Sequence, residues 1–470
     1  MKNNVHFLGI NGSGIVGVAC LAKHNGFIVS GCDINENSNY SEQLKGLDIE
    51  IEVGQSKKHL DGVDKLVVSA AVFFRDKYRD IEEITEAMDR GMEVIRWQQF
   101  LDKYLIENKN LICVSGTHGK TTTAVILSNL LEDCGADPSA IIGGINKKWN
   151  RNYRNGGGKY FVCEADEYGK NFTYYHPKYI IINNIEMEHP EFFADLEDYK
   201  NNFVDFIRNI KNGGIIIFNG DDKNVVSIIK KENNFLKSKK VKLICYYVGR
   251  KKFRGKFAEG NRVTVGNDCF WINKKDKIYR ANNLLGEHNI RNSVVSLLLM
   301  KELGFGHRKT YKSLINCEAP KRRMEKVYEH KKFIVYDDYA HHHTQIYCNL
   351  STLRENVDKK DKIIAILEPH LISRYRDNYD KYNEYMEIAD FSVITKFFKS
   401  REIDLDDLNM DEYLKNTNVQ YIEDFSNIVL HIARIIDTNT FNKLHIVVMG
   451  AGLSYKLSEK IVKFLKNANC

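Results

Sequence analysis

Two glycine-rich turns carry the most chemistry in this chain: GINGSGIVG at residues 9–17 and VSGTHGKTTT at 114–123. A glycine turn that feeds a helix N-terminus presents backbone N–H groups and the positive end of a helix dipole, a ready site for phosphate. In the second turn, Gly116 and Gly119 allow close backbone approach, Lys120 supplies a point charge, and the Thr121 hydroxyl suits a Mg²⁺ ligand. Two residues separate its glycines where the full phosphate-loop pattern has four, so a plain glycine turn before a helix is the competing reading.

A triphosphate site needs acids facing a metal, and two apolar runs end in them. YFVCEADEY (160–168) runs into Glu164, Asp166 and Glu167, and YIIINNIEMEHPEFF (179–193) exits through Asn184, Glu186, Glu188 and His189. Polar residues at the carboxyl ends of buried strands face the crevice where α/β proteins hold ligands. In the first turn Gly12, Gly14 and Gly17 fit G-x-G-x-x-G after a strand, and Asp33 ends the next strand. That pattern suits NAD, or the diphosphate of any other nucleotide, and no hydride-transfer constellation follows it. Further on, LLGEHNIRN (284–292) reads as a polar turn capping a helix. FIVYDDYAHHHTQI (333–346) ends a strand in Asp337 and Asp338 and continues into three histidines, which as neighbours cannot all point at one ion. IIAILEPHLISRYRD (363–377) places His370, Arg374 and Arg376 after another strand, a spacing suited to carboxylate or phosphate recognition or simply to a solvated helix.

The elements that position these groups follow from hydrophobic patterning. Short β-branched runs alternate with helical segments: VHFLG, FIVSG and KLVVS; then LICVS, YFVCE, YIIIN and GIIIF; then FIVYD, IIAIL, FSVIT and HIVVM. Near-continuous apolar strands with helices between them imply parallel sheets covered on both faces, here three α/β units. RVTVGNDCFWINKKDKIYRA (262–281) alternates like antiparallel hairpins. Unit boundaries are expected near 106 and 318 in a chain of 470 residues, too long for one core.

Net charge is +7, 69 basic against 62 acidic residues, too mild and dispersed for a nucleic-acid surface. The densest basic run, 249–257, reads as a solvated loop. Ten scattered cysteines without a CxxC pair read as buried, reduced thiols rather than a disulfide frame or a zinc site, which points to the cytoplasm. Glycines and polar residues interrupt 5–22, which is therefore neither a signal peptide nor a membrane span; no membrane insertion is expected.

Taken together, VSGTHGKTTT, EADEY, NNIEMEH, LGEHNIRN and YDDYAHHHT resemble the Mur ligase family, with similarity from HFLGINGSG to VVMGAG. The resemblance implies three domains: a Rossmann-like UDP-sugar domain (1–106), a central ATP-binding domain with a mostly parallel sheet (107–318) and a Rossmann-like amino-acid domain (319–470). It implies ATP and Mg²⁺ as cofactors and small-molecule partners only, in a monomer or homodimer. On that reading Gly12, Ser13, Gly14 and Asp33 grip the UDP moiety. Gly116, Thr117, His118, Gly119, Lys120, Thr121, Thr122, His288, Asn289, Asn292 and Arg323 contact ATP. Thr121, Glu164 and His189 hold metal, Asp338 and His341 face ATP and amino acid, and His370, Arg374 and Arg376 bind substrate. The implied reaction activates a UDP-sugar carboxylate as an acyl phosphate, which an amine then attacks while the third domain closes over ATP.

GINGSGIVG, VVSAAV and EPHLISRYRD are closest to members that add L-alanine to UDP-N-acetylmuramate, whereas EADEYGKNF and YIIINNIEMEHPEFF are closer to members that attach a recycled peptide. HHHTQ stands where both have HHPTE, which makes His343 and Gln345 departures. A nicotinamide oxidoreductase and a phosphate-loop switch remain the other classes; the first leaves GTHGKTTT idle and the second leaves the third unit idle.

Overall fold

The computed structural model describes residues 4–468 except 37, 39, 74–77, 250–256, 267–268, 276, 282–283, 400–401 and 403–404. The basic run at 249–257 therefore lies almost wholly outside the described residues. Two compact units divide the chain, Met1–Glu318 and Ala319–Cys470.

The first unit holds two sheets. Strands β1 (Asn4–Leu8), β2 (Ile28–Asp33), β3 (Glu50–Val53), β4 (Lys65–Val68) and β5 (Glu93–Arg96) form a parallel sheet ordered 3-2-1-4-5. Its order reverses between β1 and β4, the switch point at which such sheets bind ligands. The second sheet has ten strands. Six supply its parallel body: β6 (Asn110–Ser115), β7 (Ser139–Asn146), β9 (Tyr160–Glu164), β10 (Tyr179–Ile182), β11 (Ile215–Asn219) and β12 (Lys242–Val248). β8 (Arg151–Arg154) adds antiparallel to β7 at one edge. At the other edge β13 (Glu259–Val265) pairs parallel with β12 and then antiparallel with β14 (Cys269–Ile272). β15 (Lys277–Tyr279) completes the expected hairpins. The order 15-14-13-12-11-10-6-9-7-8 sets β6, β9 and β10 side by side, so the three polar strand exits fall on one edge.

These strands are near-continuously apolar because both faces are covered: Leu111 through Val114, and Ile180 through Ile182, are fully buried. One hydrophobic core runs from Val5 and Phe7 in the first sheet to Ile216 and Cys245 in the second. The link is the helix Ser13–His24, which packs against β7 and β8. There the Asn152 amide donates to the Ser13 carbonyl, and its backbone N–H donates to Gln43 Oε1 at 2.8 Å. Gly17 sits at the closest approach, since a Cβ there would lie 2.9 Å from Ile141 and 3.2 Å from Tyr153. The last glycine of the G-x-G-x-x-G pattern thus seats this helix on the second sheet.

The second unit is a six-stranded sheet ordered 16-17-21-18-19-20. Its strands are β16 (Glu325–His330), β17 (Phe333–Asp338), β18 (Lys362–Glu368), β19 (Phe391–Ile394), β20 (Val419–Tyr421) and β21 (Leu444–Gly450). Only β16 runs antiparallel. Separate apolar clusters cover its two faces, around Leu350 and Tyr382 on one and Ile432 and Leu457 on the other.

Gly17→Val should overpack the seam between the two sheets of the first unit and lower stability by about 1–3 kcal/mol. Urea unfolding reads the loss, and an unchanged midpoint would show that the seam is not packed this way.

Candidate active site

The turn at 116–119 joins β6 to the helix Lys120–Asp133. Gly119 ends it with φ +80°, and a Cβ there would lie 2.6 Å from Asn292 Oδ1, so both conformation and space require glycine. Lys120 folds back over the turn: Nζ donates to the carbonyl of Gly116 at 2.7 Å and to the Glu167 carboxylate at 2.9 and 3.1 Å. The Glu167 side chain is 2% exposed. Burial opposes the charge on Lys120, but the carboxylates of Glu167, Asp166 and Glu164 outweigh it and hold the ammonium above its ordinary range. Burial likewise pushes Glu167 up against the pull of Lys120; with the two in direct contact, we take the pair as ionised.

Thr121 Oγ1 donates to Glu164 Oε1 at 3.1 Å, and the other Glu164 oxygen accepts from Gly143 N–H at 2.7 Å. Glu164 is thereby fixed between the turn and β7. Thr117 sits deeper, its hydroxyl within 3.1 Å of Tyr199 Oη and 3.0 Å of the Glu186 carbonyl. His118 N–H donates to Asn184 Oδ1 at 2.8 Å, and its ring lies 3.0 Å from Glu186. Thr122 is buried in the first turn of the helix. His189 has φ +58° and Nε2 at 3.8 Å from Glu167; it groups with Asp166 and Glu167 closely enough to share a metal ion.

The helix Glu287–Glu302 backs this turn. Asn292 accepts from Thr123 Oγ1 at 3.1 Å and donates to Asn289 Oδ1 at 3.2 Å, while Asn183 donates to Thr123 at 3.1 Å. GEHN is thus a helix start, with Gly286 as the cap residue, and also part of the wiring behind the phosphate turn. His288, at the beginning of that helix, is pushed down to about 4 by burial and stays neutral.

In the first sheet, Asp33 at the end of β2 accepts from Asn11 N–H at 3.1 Å and Asn35 N–H at 3.0 Å, so here it braces its own turn. Gly12 caps the helix that Ser13 and Gly14 begin.

The second unit groups its own candidates by itself. Asp338 is 2% exposed and accepts the N–H groups of Met324 and Ala340 at 2.5 and 2.6 Å. Arg323 lies over the Tyr339 ring, and Arg322 pairs with Asp337 at 3.2 Å. The His341 and His370 rings are 5.1 Å apart, and Arg374, 3% exposed, reaches His370 Nδ1 at 2.9 Å. Arg376 points elsewhere: it is half-exposed and pairs with Asp377. The run of three histidines divides its work. His342 caps the helix His343–Asn356, with Gln345 closing a capping box in return. His343 occupies the first helical position and meets the Tyr382 ring at 5.8 Å. Both departures from HHPTE therefore fall on a helix cap.

Sequence reasoning placed Glu167, Asn184 and Glu186 only as polar strand exits facing the ligand crevice, without their partners, and it passed over Gly143, Asn183 and Tyr199. The signal for Glu167 was its place three residues beyond Glu164. The others reach the turn from separate strands and helices, and no spacing reveals that.

Family models match the chain in three consecutive blocks: "Mur ligase family, catalytic domain" over 4–108, "Mur ligase middle domain" over 114–300, and "Mur ligase, glutamate ligase domain" over 322–452. A UDP-N-acetylmuramate–L-alanine ligase from Persephonella marina is 32% identical, covering 99% of this chain and 97% of that protein. The ligase of the same name from Clostridium botulinum is 30% identical over 98% of each. Among solved structures, UDP-N-acetylmuramate-alanine ligase MurC from Thermotoga maritima superposes with a TM-score of 0.78 at 22% identity over 99% of both chains. A murein peptide ligase from Psychrobacter arcticus gives 0.69 at 22% identity over the same shares.

Lys120→Ala leaves Glu167 buried without its partner and should destabilise the protein by about 3–5 kcal/mol, with part of the loss recovered in Lys120→Ala/Glu167→Gln. The Lys120 contribution is fully present below the ordinary lysine pKa of 10.5 and is lost as pH rises through the higher folded value. Denaturant unfolding of both variants checks this; a loss as small as that of a surface lysine would show that the pair is not buried in solution.

Proposed function

The chain belongs to the Mur ligase family and is an ATP-dependent ligase, and we propose that it joins L-alanine to UDP-N-acetylmuramate, releasing ADP and phosphate. The observation that carries this reading is the clustering of Lys120, Thr121, Glu164 and Glu167 at one sheet edge. It is supported by relatives of that name matched over nearly the whole chain.

A carboxylate is anionic and lacks a leaving group, so an amine does not attack it directly. Phosphorylation gives an acyl phosphate whose phosphate departs from a tetrahedral intermediate. For such a transfer the protein supplies positioning and charge. Backbone N–H groups of 116–121 would hold the β- and γ-phosphates. Lys120, ionised and held by Glu167, would turn donors now given to the Gly116 and Thr117 carbonyls toward charge growing on the bridging oxygen. Thr121, Glu164, Asp166, Glu167 and His189 form a mostly oxygen donor set that fits Mg²⁺. Bound there, Mg²⁺ would screen the repulsion between triphosphate and carboxylate.

The turn at 12–14 would take the UDP diphosphate at the helix N-terminus, with Asp33 holding the turn in shape. In the second unit, Arg374 with His370 would receive the amino-acid carboxylate, and Asp338 and His341 would flank the amine. Both adenine-side asparagines, Asn289 and Asn292, would act through the wiring described above. Among the described residues no helix is long and apolar enough to cross a membrane. A cytoplasmic enzyme, monomeric or dimeric, fits substrates made and used with ATP. His343 and Gln345 do not argue against L-alanine, because they serve a helix cap.

Phosphate release from ATP should require both UDP-N-acetylmuramate and an amine, with L-alanine preferred in a panel of amino acids and murein peptides. Preference for a peptide would reassign the amine, and release with neither acceptor nor amine would overturn the ligase reading. In protein shown to be folded, Lys120→Met should lower kcat roughly 10²–10³-fold, the scale for losing one preorganised donor.

A further inference from the structure

Beneath the first glycine turn, four side chains from four segments of the first sheet's domain converge in a buried cluster. His6 lies on β1, Cys32 on β2, His59 in the turn Lys57–Leu60, and Glu83 in the first turn of the helix Glu82–Asp89. His6 is 1% exposed, Cys32 and Glu83 are 0% exposed, and the His59 side chain is 6% exposed. One donor atom each from His6, Cys32 and His59 lies within 4.8 Å of the other two. Glu83 Oε1 adds a fourth corner, 3.5 Å from Cys32 Sγ and 3.2 Å from His59 Nδ1.

From this arrangement we propose that His6, Cys32, His59 and Glu83 form a structural zinc site in the amino-terminal sheet.

Two features favour a metal over an ordinary buried polar cluster. First, two of the polar atoms lack partners: His6 Nε2 and Glu83 Oε2 are buried with no hydrogen bond among the described residues. Buried donors and acceptors are nearly always paired, and an orphan atom on each of two of these four side chains calls for an explanation. Second, both histidine rings are already held at their outer nitrogens, and the carboxylate is anchored by a backbone N–H. Ser30 Oγ sits 2.8 Å from His6 Nδ1, leaving Nε2 to point inward. The Glu52 carboxylate sits 2.9 Å from His59 Nε2, leaving Nδ1 inward. Ser56 N–H donates to Glu83 Oε1 at 2.8 Å. Such outer partners fix ring orientation in metal-bound histidines.

The donor set selects the ion. One sulfur, two imidazole nitrogens and one carboxylate suit Zn²⁺ in a closed tetrahedron and not Mg²⁺, which prefers oxygen. Ligand atoms in such a site stand about 3.3–3.8 Å apart, so the cluster would contract modestly on binding. Charge closes as well: on binding, the Cys32 thiol loses its proton to solvent, and one dication meets one thiolate and one carboxylate. The sequence reading set the cysteines aside because none shows metal-type spacing, and none does; the four ligands are brought together only by the sheet. The Cys32 carbonyl accepts the N–H groups of Gly9 and Ile10 at 2.8 and 3.1 Å, so the ion would clamp β1, β2 and two connecting segments directly beneath the first glycine turn.

The site is independent of the ligase reading, and its test does not use turnover. Tag-free protein grown with zinc and dialysed should carry one zinc per chain by atomic emission. The chelated protein titrated with Co²⁺ should show tetrahedral d–d bands and a thiolate-to-cobalt charge-transfer band. Cys32→Ser should lose that band, Cys20→Ser should keep it, and Ser30→Ala, which frees His6 to rotate, should weaken metal affinity about 10–100-fold. Circular dichroism establishes that each variant is folded. Absence of both stoichiometric zinc and a cobalt–thiolate band in the unmutated protein, or a band that survives Cys32→Ser, would overturn the proposal.

Discussion

A buried ammonium must be neutralised where it sits, and in this chain that requirement organises the central domain. Lys120 opens the helix after β6, and its charge is met by Glu167, which follows β9. The pair can form only because β6 and β9 are neighbours in register, with Val114 beside Glu164. Glu164, at that strand end, meets Thr121 one residue further along the helix. Two acid–hydroxyl and acid–ammonium contacts thus hold one helix start against one strand exit. A phosphate arriving there would find its cation already charged and largely buried beside the turn, with the Gly116 and Thr117 carbonyls as the partners it must displace.

The same logic explains why the turn tolerates few alternatives. Gly119 is pressed against Asn292, and Asn292 is tied through Thr123 to Asn183 at the exit of β10. Helix Glu287–Glu302 therefore reports on the turn from behind. Asn289, in the GEHN segment read as a helix cap, accepts from Asn292 and so belongs to the same wiring behind the phosphate loop.

How much of this was legible follows residue by residue. Strands such as LICVS and YIIIN were plain because burial on both faces leaves them apolar throughout. β3, with all four residues exposed, and β16, exposed at most of its residues, were not read because edge strands carry no such run. Lys120 and Thr121 were legible from a local motif. Gly143 was not, because it meets Glu164 through a backbone N–H that any residue type could supply. Asp33 was read as a ligand contact, and what local spacing did not show is that its carboxylate also accepts two backbone N–H groups of its own turn. Gln345, read as a departure, keeps the capping box because an amide oxygen accepts from backbone N–H as a carboxylate does.

By itself the sequence determined three α/β units, two phosphate-type turns and the acids at strand ends, because each is written in contiguous residues with a fixed periodicity. Tertiary structure alone decided which acid faces Lys120, that the helix after the first turn seats on the second sheet through Gly17, and that His6, Cys32, His59 and Glu83 share one pocket. Those choices depend on strand order and register, which bring together residues dozens of positions apart and leave no trace in local spacing.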